Sequence, residues 1–146
     1  DLIADAVAAY DRVHGPCIVV DFGTATTFTA ISAQAAFLGV AIAPGMNLAA
    51  SALAGGTAQL PQIRLAPPPV VVGTNTVHAI QSGVVFGHAA LVEGMLRRIA
   101  FQMAVEPTVI ATGGLSPLMA SLVGAFALVD PWLTLEGIRL IGALNP

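Results

Sequence analysis

The chain has no lysine. Its five basic residues are all arginines, and charged residues make up only 9% of the sequence. None falls between Phe22 and Ile63, or between Leu65 and Val92. Arg97-Arg98 is the only basic pair, and the net charge is −3. A phosphate-backbone binder needs far more positive surface, which excludes nucleic acid as a partner. The single cysteine, Cys17, rules out an intramolecular disulfide and fits a reducing compartment, so a cytoplasmic location is expected. Asp1, Asp5 and Asp11 are acidic where a secretory leader would be basic. The first residue is not methionine, and the chain is expected to be a piece of a longer protein. There is no G-x-x-x-x-G-K-[ST] and no G-x-G-x-x-G. His14, His78 and His88 have no cysteine or carboxylate at zinc-ligand spacing.

Apolar residues are abundant at 56%, and mean hydropathy is +0.86. A membrane span needs about 20 mostly apolar residues in one helix. The first uncharged block is instead broken by Gly23, the Thr24/Thr26/Thr27 cluster, Gln34, Gly39, Pro44-Gly45 and Gly55-Gly56. The second holds Pro67-Pro68-Pro69, Asn75, His78 and Gln81. These windows read as strands, turns and core helix, and no membrane partner is expected.

With 146 residues the chain fills one domain with a sizeable core. Ile3, Ala6, Val7 and Tyr10 share a helical face over residues 1–13, which His14-Gly15-Pro16 ends. Strands are expected at 17–20, 27–32 and 37–42, as an antiparallel meander. A helix over 46–53 and a loop over 54–69 follow. The longest helical pattern runs from Val77 to Met103, opened by Gly73-Thr74-Asn75-Thr76, with Asn75 or Thr76 as cap. Its first half is apolar on nearly every face, suggesting burial in a core and against a second copy. Gly83, inside this helix, is expected to mark close packing. A strand at 108–111, a helix at 117–123, a short strand at 126–129 and a helix at 133–144, with Thr134 as its N-cap, complete an α/β order with a mixed sheet. Cys17 and Trp132 read as packing residues.

One stretch stands out: C-I-V-V-D-F-G-T-A-T-T-F, residues 17–28. A buried strand delivers Asp21 to a turn rich in hydroxyls. Backbone N–H groups of such a turn, with Gly23 allowing close approach and Thr24 adding a donor, make an anion site. A carboxylate there makes sense if a cation sits between it and a phosphate. A hairpin that merely bonds its own aspartate would read the same way. Gly113-Gly114, between a strand and a helix, is a second place where a ribose or ring could lie against backbone.

The stretches C-I-V-V-D-F-G-T-A-T-T-F, A-I-A-P-G-M-N-L-A-A-S-A-L, T-A-Q-L-P, G-T-N-T-V-H-A-I-Q-S-G-V-V-F-G, V-I-A-T-G-G-L and V-D-P-W-L-T-L-E-G-I-R-L-I, in this order, resemble the C-terminal half of type III pantothenate kinases, also known as the Bvg accessory factor family. The resemblance implies a ribonuclease-H-like domain of the actin-like, sugar-kinase superfamily. Residues 1–146 would be the single C-terminal domain, with the family's N-terminal domain absent. It implies transfer of the ATP γ-phosphoryl group to pantothenate, the first step of coenzyme A synthesis, with Mg2+, a potassium or ammonium ion and a homodimer. Asp1 would be the general base on the pantothenate hydroxyl. Asp21 would bind the monovalent cation, Gly23, Thr24, Gly113 and Gly114 the nucleotide, and Thr76 pantothenate. Two positions depart from the family pattern. Leu2 stands where an arginine is expected to pair with the pantothenate carboxylate, and Thr29 stands where Asp or Asn is frequent. A catalytically degenerate regulatory relative, or a kinase with another acceptor, is the alternative.

Overall fold

The computed structural model describes residues 1–56 and 60–145. Helix α1 (Leu2–Val13) leads into strands β1 (Cys17–Phe22), β2 (Ala25–Ile31) and β3 (Phe37–Pro44), then helix α2 (Met46–Gly56). Residues 57–59, which carry most of the T-A-Q-L-P stretch, lie outside the described residues. Helix α3 (Thr76–Gln81), a π turn (Ser82–Phe86) and α4 (Gly87–Met103) follow. Strand β4 (Thr108–Thr112), helix α5 (Ser116–Ala120), strand β5 (Leu128–Val129) and helix α6 (Leu133–Leu144) complete the chain.

The sheet has the order β3-β2-β1-β4-β5. The first three strands form the expected antiparallel meander, and β4 and β5 join in parallel to β1. Helices flank this mixed sheet, the ribonuclease-H-like arrangement. The side chains of β1 alternate between two cores. Ile18, Val20 and Phe22 meet the π turn, α4 and Phe28 on one face. Cys17 and Val19 meet Ala8 and Ala9 of α1 and Leu133 of α6 on the other. Burying a phenylalanine such as Phe22 or Phe28 contributes about 2–3 kcal/mol relative to leaving it exposed, and both are 1% exposed. Cys17 is fully buried, and burial pushes its thiol up to about 11.

Helices α1 and α6 touch backbone to backbone. A Cβ on Gly137 would stand 1.9 Å from the Ala4 carbonyl oxygen, so only glycine permits this approach. Arg12 pairs with Asp130 at 2.7 Å, fixing the other end of α1.

Several details differ from expectation. The long helix is continuous over Thr76–Met103 (28 residues), but a π turn widens it at Ser82–Phe86. Both Val84 and Val85 are buried there, and the Ser82 hydroxyl donates to the Val71 carbonyl. Gly83 faces open space, so the π turn rather than close packing marks this segment. The helix is long and apolar enough to cross a membrane, yet half of its most apolar window is buried within the fold. Thr134 does not cap α6, because its hydroxyl is taken by Asp5 of α1. Trp132 is 70% exposed rather than packed, since it sits in a turn whose N–H is held by the Asp130 carboxylate. Asn75, not Thr76, caps α3 by accepting from the His78 N–H.

Candidate functional site

The parallel pair β1 and β4 ends where the hairpin between β1 and β2 begins. In α/β sheets, ligands gather at such carboxyl ends. Asp21, the penultimate residue of β1, lies in register with Thr27 on β2 and Thr112 on β4. Paired residues on neighbouring strands share a face, so all three side chains line the α1 side. Asp21 is half-buried. Burial, and then the charge of Asp5, raise its carboxyl pKa above the usual range.

Gly113 adopts φ +89 and folds over this acid. A Cβ there would stand 2.5 Å from Asp21 Oδ1 and 2.6 Å from the Phe22 carbonyl oxygen. The turn is held by Ser116, whose hydroxyl donates to the Gly113 carbonyl at 2.7 Å. In the hairpin, the Gly23 N–H donates to the Ala25 carbonyl at 3.1 Å, and the Gly45 N–H donates to the Thr24 carbonyl at 3.1 Å. The second bond sets the start of α2 against the hairpin tip. Gly23 and Thr24 remain exposed.

A cavity of about 510 Å³ opens here, lined by Phe22, Gly23, Thr24, Asn47, Leu48, Ser51, Gly114 and Leu115. It joins the hairpin, the first turns of α2 and the Gly113-Gly114 turn. A helix N-terminus with exposed backbone N–H groups favours anions. The arrangement can therefore hold phosphate oxygens between hairpin and helix, with a flat group against Gly114. Cavities of about 560 and 500 Å³ elsewhere contain none of the candidate residues.

Of the candidates, the fold brings together Asp21, Gly23, Thr24, Gly113 and Gly114. Asp21 itself is not a lining residue, since its carboxylate faces α1 while the cavity begins at Phe22. Asp1 stands exposed at the N-terminal boundary of α1. Thr76 is exposed at the start of α3 and does not line the cavity. Sequence reasoning missed Asn47 and Ser51. Their spacing of four, on a helix otherwise built of apolar residues, was a usable signal. It also missed His88. The His88 ring is 6% exposed and its Nε2 lies 2.9 Å from the Thr26 hydroxyl, tying α4 to the hairpin's second strand.

The side chains around Asp21 offer oxygen atoms. The buried side-chain oxygens with no partner, among the described residues, are Asp5 Oδ2, Thr27 Oγ1 and Thr112 Oγ1. No group of three His, Cys, Asp or Glu is close enough to hold a metal among the described residues.

Residues 1–98 match the family model described as type III pantothenate kinase. Proteins named type III pantothenate kinase from Roseiflexus castenholzii and Anaeromyxobacter sp. (strain K) are 49% and 48% identical over 145 residues, which is 99% of this chain and 57% of each relative. The chain thus spans somewhat over half the length of these curated relatives, in their C-terminal part. Among solved structures, a Campylobacter jejuni protein assigned to the Baf family of transcriptional activators superposes with TM-score 0.67 at 24% identity, covering 98% of this chain and 64% of that one. The activator of 2-hydroxyisocaproyl-CoA dehydratase from Clostridium difficile, with bound ADPNP, gives 0.59 at 14% identity, covering 96% and 64%. At these identities the structural matches speak for the fold.

Proposed function

The chain belongs to the type III pantothenate kinase family, and from that premise we propose that it is the C-terminal domain of an enzyme that phosphorylates pantothenate with ATP. The observation that carries the proposal is the 510 Å³ cavity, in which Gly23, Thr24 and Gly114 meet the start of α2. Phosphoryl transfer depends on positioning and charge stabilisation more than on covalent chemistry. Thr24 at the hairpin tip and the α2 N-terminus hold phosphate oxygens. Gly113 and Gly114 leave room for the nucleoside. Asp1, at the end of α1 that overlies Asp21, takes the proton from the acceptor hydroxyl. Thr76 contributes a hydroxyl to the acceptor. A potassium or ammonium ion beside Asp21 would offset phosphate charge. Magnesium, when bound with the nucleotide, would neutralise charge on the transferring phosphoryl group. In the family the first phosphate loop lies in the N-terminal domain, so on this reading the 146-residue chain transfers phosphate only together with that domain. A homodimer of two such copies is part of the same proposal.

The test is a chimera. Fused behind the N-terminal part of the Roseiflexus castenholzii relative, the chain should transfer labelled phosphate from ATP to pantothenate, and Asp1→Asn should remove most of the rate. A folded, nucleotide-binding chimera with no transfer would overturn the proposal. Leu2 favours a second reading, a catalytically degenerate relative, because leucine cannot pair with the pantothenate carboxylate as arginine does. Activity that appears only with Leu2→Arg would select that reading.

A further inference from the structure

Three buried side-chain oxygens without a partner, among the described residues, sit at one place in the fold. Thr27 and Thr112 are the residues directly opposite Asp21 on the strands at either side. Neither hydroxyl bonds its carboxylate, and both are orphaned. The third orphan, Asp5 Oδ2, comes from the helix above. Helix α1 and β1 run in opposite directions, joined by a short turn. Ala8 and Ala9 pack on the same face as Cys17 and Val19. Asp5, one turn earlier on α1, therefore overlies the next residue up the strand on that face, which is Asp21. The charge of Asp5 acts on Asp21.

Asp5 is 1% exposed, and Thr112 is fully buried. Burying an orphaned carboxylate oxygen is costly, and the half-buried acid Asp21 close to it adds like-charge repulsion. No arginine answers either of them. Thr134 donates to Asp5 Oδ1 at 2.6 Å, which satisfies one oxygen and leaves Oδ2 open. Four residues thus offer oxygen, with at most two negative charges, and no nitrogen or sulfur ligand. Hard cations take oxygen ligands, and a small divalent ion demands a stricter octahedral set. Two carboxylates and two hydroxyls suit a larger monovalent ion.

We infer that Asp5, Thr27 and Thr112 join Asp21 as the ligands of a monovalent cation of potassium size, with Thr134 positioning the Asp5 carboxylate. The inference rests on the cation reading of Asp21 above and assigns that ion three further ligands. The ion would lock α1 to the sheet through Asp5. It would thereby couple cation binding to the placement of Asp1, one turn away at the helix end.

The experiment is thermal unfolding of the full chain in potassium chloride and in tetramethylammonium chloride at equal ionic strength. Ligand that binds only the folded state raises the midpoint with concentration. Potassium should raise it by several degrees. Asp5→Asn should abolish that rise and, by removing a repulsive charge, should leave the chain more stable than wild type in tetramethylammonium. A role confined to the Thr134 hydrogen bond would instead lower stability equally in both salts, and that outcome overturns the inference. Thr112→Val, of nearly the same shape, keeps the test open should Asp5→Asn fold poorly. It should shift the potassium midpoint concentration upward at least several-fold, and an unchanged midpoint overturns the inference. A potassium response that survives Asp5→Asn and Thr112→Val but is lost in Asp21→Asn refutes the added ligands and leaves the Asp21 reading standing. No potassium response in wild type refutes both.

Discussion

Two adjacent glycines should respond oppositely to the same substitution. Gly113 has φ +89, where a residue with a Cβ is strained by about 1–3 kcal/mol. Its added Cβ would also stand 2.5 Å from Asp21 Oδ1, 2.6 Å from the Phe22 carbonyl oxygen and 2.7 Å from the Phe22 carbonyl carbon. Two of those atoms are backbone in the central strand and cannot rotate aside. Relieving such a clash costs about 1–3 kcal/mol more, as in overpacked cores. Gly113→Ala should therefore lose about 2–6 kcal/mol. For a chain of this size that lowers the unfolding midpoint by about 6–18 °C. At Gly114, nothing lies within 4 Å of the added Cβ, and φ is not positive. Gly114→Ala should stay within about 0.5 kcal/mol of wild type. Both alanines stiffen the unfolded chain alike, by about 0.4–1 kcal/mol, so the difference between them is the informative quantity. Urea unfolding followed by circular dichroism measures it. Equal losses at the two positions, or a Gly113→Ala loss below about 1 kcal/mol, would refute the claim that this turn is folded tightly over Asp21.

Other outcomes follow from the same packing. Gly137→Ala should destabilise by about 3 kcal/mol or more, because its Cβ would meet the Ala4 carbonyl oxygen at 1.9 Å; Gly142→Ala on the same helix, with open space around it, should change little in the same urea titration. His88 is held neutral by burial, which lowers its pKa below 6.5. The unfolded chain therefore binds the proton first. Stability should be full above pH 6.5 and should fall as the pH drops toward the lowered folded value, with a slope of up to about 1.4 kcal/mol per pH unit. His88→Gln should flatten that slope between pH 7.5 and 5.5, and a wild-type chain with no slope there would contradict the burial argument. Leu2→Arg in the chimera should lower the KM for pantothenate with less effect on the KM for ATP, and an unchanged pantothenate KM would show that residue 2 does not face the acceptor.

Much of the site was legible because it breaks local rules. Asp21 ends an apolar run that belongs in a core, and Gly23-Thr24 marks the turn after it, so the hairpin and its acid could be named from sequence. Gly113-Gly114 stood out as paired glycines at a strand end. The meander was legible from short apolar runs parted by turn residues. Asp5 was not, because one acid among three near the start of a helix looks like any solvated residue. Its partner Thr134 lies 129 positions away, and the α1–α6 contact that joins them depends on a backbone approach that no local pattern reveals. The π turn was hidden because one extra residue leaves the apolar period of the long helix nearly intact. Trp132 was misjudged because size suggests burial, whereas the Asp130 turn fixes its backbone at the surface.

The decisive measurement is an amide spectrum of the 15N-labelled chain titrated with ADP. If the hairpin, the α2 start and the paired glycines form a nucleotide site, the signals of Gly23, Thr24, Asn47 and Gly114 should move together and saturate, and Gly113→Ala should suppress the shifts. Saturable shifts confined to the groove between α1 and α6, or none at all up to tens of millimolar nucleotide, would contradict the assignment.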